Sequence, residues 1–167
     1  MRFLHTADWH IGKKIYGYDL LNEQKEMVEN IITMAKEHQV DAIVIAGDLY
    51  DRSVPSSESV ALLNSLLFKI NMEEKLPILA ISGNHDSRTR LNTGTPWFTL
   101  NDFFLNTELS KSLEPIEIKN VQFYLLPYFD LFDLQQLFPE VKTLQEGFDQ
   151  LILEMKKTFH PEKKQVL

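Results

Sequence analysis

Short apolar runs alternate with stretches of helical period through the first half of the chain. Residues 2–7 (Arg-Phe-Leu-His-Thr-Ala) read as a strand that opens into a polar loop. From residue 20 to 38 the apolar positions Leu20, Met27, Val28, Ile31, Met34 and Ala35 recur at helical spacing, with Glu, Lys and Asn between them. Residues 40–46 (Val-Asp-Ala-Ile-Val-Ile-Ala) form a β-branched apolar run ending at Gly47, the pattern of a strand buried on both faces. Residues 56–70 return to helical period, with Val60, Leu63, Leu67 and Ile70 on one face behind Pro55 and two serines. Residues 77–82 (Pro-Ile-Leu-Ala-Ile-Ser) repeat the buried-strand pattern and stop at Gly83. This βαβαβ order predicts an α/β fold, a layered parallel sheet with flanking helices.

The second half is patterned differently. Ile116-Glu-Ile-Lys and Val121-Gln-Phe-Tyr-Leu-Leu flank Lys119-Asn120 and predict a hairpin. Residues 130–138 and 143–159 read as helices, the second carrying Leu144, Phe148, Leu151, Ile152 and Met155. Lys164-Gln-Val-Leu opens a further apolar run at the chain end, so the expectation is a domain that continues beyond Leu167. No repeat, low-complexity tract or linker interrupts residues 1–167, which are assigned to a single domain.

Composition narrows the chemistry. The 167 residues are 44% hydrophobic and include no cysteine, which excludes a disulfide framework, a thiolate zinc site and a cysteine nucleophile. A formal charge of −7 argues against a module that grips DNA by bulk positive charge. No apolar stretch approaches 18 residues and the N-terminus lacks the regions of a signal peptide, so a soluble cytoplasmic protein is expected.

Each predicted parallel strand runs into a polar motif: Asp8-Trp9-His10, Gly47-Asp48-Leu49-Tyr50-Asp51 and Gly83-Asn84-His85-Asp86. Carboxyl ends of neighbouring parallel strands face one crevice, so topology collects these distant residues into one site. An extended strand end would set Asp8 and His10 on the same side. Gly47 and Gly83 fit where the backbone must turn sharply or approach an ion closely. Carboxylate, imidazole and amide oxygen without sulfur suit Mn²⁺, Fe or Zn²⁺ better than Mg²⁺. A carboxylate such as Asp48 on the central motif is placed to bridge two cations about 3.5–4 Å apart, the arrangement of two-metal phosphoryl displacement. At background frequencies, a chance Gly-Asn-His-Asp somewhere in this chain is on the order of 1 in 1,000.

The pattern Asp-x-His, Gly-Asp-x-x-Asp and Gly-Asn-His-Asp resembles the calcineurin-like metallophosphoesterase superfamily. The fuller stretches His5-Thr-Ala-Asp-Trp-His-Ile-Gly-Lys, Val40 through Asp51, Pro55-Ser-Ser and Gly-Asn-His-Asp-Ser are similar to its bacterial double-strand-break-repair nuclease branch, over residues 1 to about 130. The resemblance implies that Asp8 and His10 hold a first metal, that Asp48 bridges, and that Asn84 holds a second. His85 would contact the scissile phosphate and protonate the leaving oxygen, and Asp51 would orient His85. It further implies Mn²⁺ as cofactor, DNA as substrate with 3′→5′ exonuclease and single-strand or hairpin endonuclease activity, an SMC-like ATPase partner, and a homodimer within a heterotetramer. Further superfamily ligands, a later histidine and a Gly-His-x-His motif, have no counterpart here; His160, the one histidine after His85, reads as a surface residue. Capping and DNA-binding regions are likewise without counterpart, so the expectation is a chain incomplete as an enzyme on its own. A phosphomonoesterase or cyclic-nucleotide phosphodiesterase uses the same three motifs, and a non-catalytic scaffold is the third alternative.

Lys13, Lys14, Arg52, Arg88 and Arg90 sit in the motif loops and offer phosphate contacts along a DNA backbone, or pair with Asp19, Asp51 or Asp86. Trp97, Phe98, Phe103 and Phe104 read as packing of a short helix on the sheet or as a partner surface, with stacking on a frayed base as the alternative; His5 reads as core or backing for the site, and His38 as a helix-end cation. The helical face from Leu20 to Met34 is a candidate dimer surface.

Overall fold

The chain opens with strand β1 (Phe3–Thr6), whose exit loop folds into a two-strand hairpin of β2 (Lys14–Ile15) and β3 (Tyr18–Asp19) before helix α1 (Leu21–Glu37). The computed structural model describes residues 1–167. Strand β4 (Ala42–Ala46), helix α2 (Ser57–Phe68) and strand β5 (Ile78–Ile81) follow, the helix passing into a π-turn over Lys69–Glu73. Two short helices, α3 (Arg88–Leu91) and α4 (Thr95–Phe98), lead to strand β6 (Phe103–Asn106). The four strands pair parallel in the order β1-β4-β5-β6, which realises the expected α/β architecture.

Burial explains the strand sequences. Ile43, Ile45, Ile78 and Ala80 point to one face and are fully buried with Val28, Ile32, Ala35 and Leu63 from α1 and α2. Ala42 and Leu79 point to the other face, against Val121, Phe123 and Leu125. Covered on both sides, β4 and β5 have no polar face, hence their continuous apolar run. The second layer is a sheet of β7 (Ile116–Ile118), β8 (Val121–Phe123) and β9 (Lys164–Val166): β7 and β8 form the expected antiparallel hairpin, and β9 adds parallel to β8. Helices α5 (Leu131–Leu137) and α6 (Leu144–Lys156) pack through Leu134, Leu151 and Met155 against Tyr124 and Leu109. No helix is long and apolar enough to cross a membrane.

Strand β6 escaped the sequence pattern, which reads Phe103 and Phe104 as helix packing. The two rings fall on opposite faces of that strand: Phe103 is buried and stacked 5.0 Å from Phe98, while Phe104 packs towards the second sheet. Trp97 stays 69% exposed, so it does not pack the short helix down. His5 also departs from expectation; it is exposed on β1 and not part of the core.

Arg88 ties the third motif loop to the second half of the chain. Its guanidinium donates to both Asp133 oxygens at 2.5 and 2.6 Å and to the Tyr128 carbonyl at 2.9 Å. Arg88 holds the Asp133 carboxyl below the usual carboxylate range, with burial opposing. A depressed native pKa means stabilisation present above the unfolded value of about 4 and lost as pH falls through the native one. Asp133→Asn is therefore expected to cost about 1 kcal/mol at pH 7, modest because Arg88 is 39% exposed and screened. Urea denaturation checks it: the difference from wild type closes in strong acid. A deficit that persists there would assign the loss to the capping box Asp133 forms with Asp130.

Candidate metal centre

The site is assembled by main-chain hydrogen bonds that continue beyond the strands. Asp8 N–H donates to the Gly47 carbonyl, His10 N–H to Asp48, Ile11 N–H to Leu49 and Asp51 N–H to Ile11. The first two motif loops are thus zipped together. Asp86 attaches the third: its buried carboxylate accepts from the N–H groups of Gly83, Leu49 and Tyr50 at 2.9 to 3.1 Å. Burial raises the Asp86 pKa, and these three donors work against that rise.

The motif residues do not continue the strand geometry. Asp8 (φ +55°), His10 (φ +45°) and Asp48 (φ +49°) all lie in the left-handed region. The same-side placement of Asp8 and His10 therefore comes from two tight kinks and not from strand alternation, as the sequence pattern had implied. Such conformations cost about 1–3 kcal/mol each and persist where surrounding contacts over-determine them. Here the loop-to-loop hydrogen bonds do so, helped by Gln24 from α1. Its buried amide donates to the carbonyls of Trp9 and His10 and accepts from Gly12 N–H. Gln24 was not among the candidate residues; its signal was a glutamine on the α1 face that otherwise buries Val28, Ile31 and Ala35.

Nε2 of His10 stands 3.7 Å from Asp8 Oδ1 and 3.6 Å from Asp48 Oδ2, and the three donor atoms lie within 4.8 Å of one another. Adjacent donors about 2.1 Å from a shared cation stand roughly 3.0–3.6 Å apart, so the two His10 spacings come within about a tenth of an ångström of what a divalent ion needs. The donor set of two carboxylates and one imidazole is right for such an ion. Asp48 is oriented by its second oxygen, Oδ1, which accepts from the His85 N–H at 2.9 Å.

Gly83 permits that orientation. A Cβ there would sit 2.0 Å from Asp48 Oδ1 and 2.4 Å from the Asp48 nitrogen. Gly47 (φ +82°) abuts the same backbone, its notional Cβ 3.0 Å from Gly83 Cα. The close approach at these glycines is of one loop to the other, where the sequence pattern suggested a sharp turn or an approach to an ion.

His85 is exposed, and its ring meets His10 edge to face at 4.8 Å between centroids. Its Nδ1 is 2.8 Å from the Asp51 main-chain carbonyl, and that hydrogen bond, with the Asp48 and Asp51 charges, raises its pKa. Asp51 thus reaches His85 through its main chain; its carboxylate lies instead 3.4 Å from Nδ1 of His10. The structure brings Asp8, His10 and Asp48 together, while Asn84, next to His85 in the third loop, is exposed and its side chain makes no hydrogen bond. His160 is exposed and remote in sequence and fold, on the turn before β9.

The basic residues divide. Lys14 pairs with Asp19 at 3.4 Å and Arg52 loosely with Asp51 at 3.8 Å. Arg88 is locked to Asp133 and is a structural cation. Lys13 and Arg90 are exposed and form no ion pair, and Lys13 is close enough to His85 for its charge to oppose that histidine's protonation. A family model described as calcineurin-like phosphoesterase matches residues 1–163 of the chain.

Proposed function

Because this chain belongs to the calcineurin-like phosphoesterase family and is therefore a metal-dependent phosphoester hydrolase, we propose that its substrate is DNA and that it is the nuclease subunit of an SbcCD-type complex. The observation that carries the choice of substrate is the openness of the site. Asp8 is 68% exposed and His85 lies on the surface, whereas a small monoester is usually enclosed. A polymer backbone needs such access. Lys13 and Arg90, free of ion pairs near the motif loops, are available to phosphates flanking the scissile one. The resemblance of His5 to Lys14 and of the Gly-Asn-His-Asp-Ser stretch to SbcD supports the same reading.

Asp8, His10 and Asp48 would hold the first cation, with Asp48 extending to a second beside Asn84. When bound, divalent cations supply Lewis-acid charge against the phosphate oxygens and acidify water; the imidazole and carboxylate donors favour Mn²⁺. His85 donates a proton to the departing 3′ or 5′ oxygen. An SMC-like ATPase, SbcC in the resembling complex, and a second copy of this chain complete the proposed assembly. Exposed Met27 and Met34, seven residues apart on α1, offer the pairing face.

End-labelled linear duplex and hairpin DNA, beside p-nitrophenyl phosphate, test the reading with Mn²⁺ or EDTA present. Mn²⁺-dependent release of nucleotides, abolished by EDTA, is expected. Hydrolysis of the monoester with DNA left intact would overturn the nuclease reading and leave a phosphomonoesterase.

A further inference from the structure

The geometry points to a positioning role for the Asp51 carboxylate on His10, as the group that fixes which ring nitrogen this ligand offers to a cation. Nδ1 of His10 is buried and has no well-formed hydrogen bond. Asp51 Oδ1, at 3.4 Å, is the one carboxylate oxygen facing it. On the other side of the same ring, Nε2 faces Asp8 and Asp48. A neutral histidine presents Nε2 as a lone pair only when the proton sits on Nδ1, and a buried N–H requires an acceptor. Asp51 supplies it, and a shift of a few tenths of an ångström brings the pair to ordinary hydrogen-bond length.

Asp51 is itself held in place. Its N–H donates to the Ile11 carbonyl, its Oδ2 lies 3.8 Å from Arg52 Nε, and its own carbonyl meets Nδ1 of His85. One residue therefore references both histidines to the same stretch of backbone, by different atoms. The carboxylate serves the ligand His10, and the carbonyl serves His85. Metal-bound imidazoles backed by a carboxylate in this way typically lose 10- to 100-fold in affinity when the carboxylate is removed.

This inference rests on Asp8, His10 and Asp48 being a cation site, and titration calorimetry with Mn²⁺ alone separates the two claims. Wild type, Asp51→Ala and Asp51→Asn are compared, with thermal denaturation of each in EDTA. Asp51→Ala is expected to bind Mn²⁺ about 10- to 100-fold more weakly with an unchanged melting temperature. Asp51→Asn keeps an acceptor oxygen and should lose less, and it decides the matter should the alanine variant not fold. With Zn²⁺ bound, ¹⁵N spectra of labelled histidine should show Nδ1 of His10 protonated, its proton moving upfield in Asp51→Asn. Equal Mn²⁺ affinity in all three proteins overturns the role on His10; if turnover nonetheless falls, the carboxylate acts on His85. A wild type that binds no Mn²⁺ overturns the cation site itself, and this role with it.

Discussion

Replacing His85 with alanine is expected to slow phosphoester hydrolysis by about 10²- to 10⁴-fold, the usual worth of a positioned acid–base group, while leaving Mn²⁺ affinity within a few-fold of wild type. A carbonyl can only accept, so the 2.8 Å contact with Asp51 places a proton on Nδ1 of His85. That leaves Nε2 for the substrate. The Asp51 carbonyl first, and the Asp48 and Asp51 charges after it, raise the His85 pKa above that of a free histidine, which populates more of the form whose Nε2 proton can be donated to a leaving oxygen. The ring is not one of the Asp8, His10 and Asp48 donors and groups instead with Asp51 and His10. Alanine keeps the main-chain N–H to Asp48 and, of the contacts with those three residues, loses only the edge-to-face packing on the His10 ring. Steady-state kcat on a labelled oligonucleotide, whose alkoxide leaving oxygen needs a proton, together with Mn²⁺ titration, checks both halves. Unchanged kcat would remove His85 from the chemistry, and a large loss of Mn²⁺ affinity would make it a ligand.

Gly83→Ala is expected to do more damage than most substitutions of a ligand, although Gly83 ligates nothing. Its Cβ would come 2.0 Å from Asp48 Oδ1, 2.4 Å from Asp48 N and 2.7 Å from Asp48 Cγ. Two of those atoms belong to the carboxylate and one to backbone already in the left-handed region, and Gly47 closes the other side. Relief requires the second and third loops to part. That breaks the His85-to-Asp48 hydrogen bond and strains the three amides Asp86 collects. Overpacking of this kind costs about 1–3 kcal/mol, and in a chain of this size each kcal/mol lowers Tm by about 2–4 °C. Asp48 would turn away from His10, so Mn²⁺ affinity and turnover should fall together. Calorimetric melting and Mn²⁺ titration of the purified variant test this; an alanine protein with wild-type Tm and affinity would show that the loops separate at no cost.

The sequence by itself determined the parallel layering and which residues stand at its strand ends. Continuous apolar runs at 40–46 and 77–82 permit only strands covered on both faces, and helical spacing between them forces parallel pairing. With three polar motifs at three strand ends, the meeting of Asp8, His10 and Asp48 follows from topology. The tertiary structure alone decided how they meet. The kinks at Asp8, His10 and Asp48 are paid for by hydrogen bonds between residues 36 to 40 positions apart, which no local pattern encodes. Strand β6 owes its existence to the free edge of β5, since Phe-Phe-Leu-Asn is short and has no alternation of its own. Arg88 and Asp51 show the same limit at side-chain level. A charged residue in a motif loop can face phosphate, a ligand histidine or an acid from another helix, and which it does depends on what packing brings within about 3 Å.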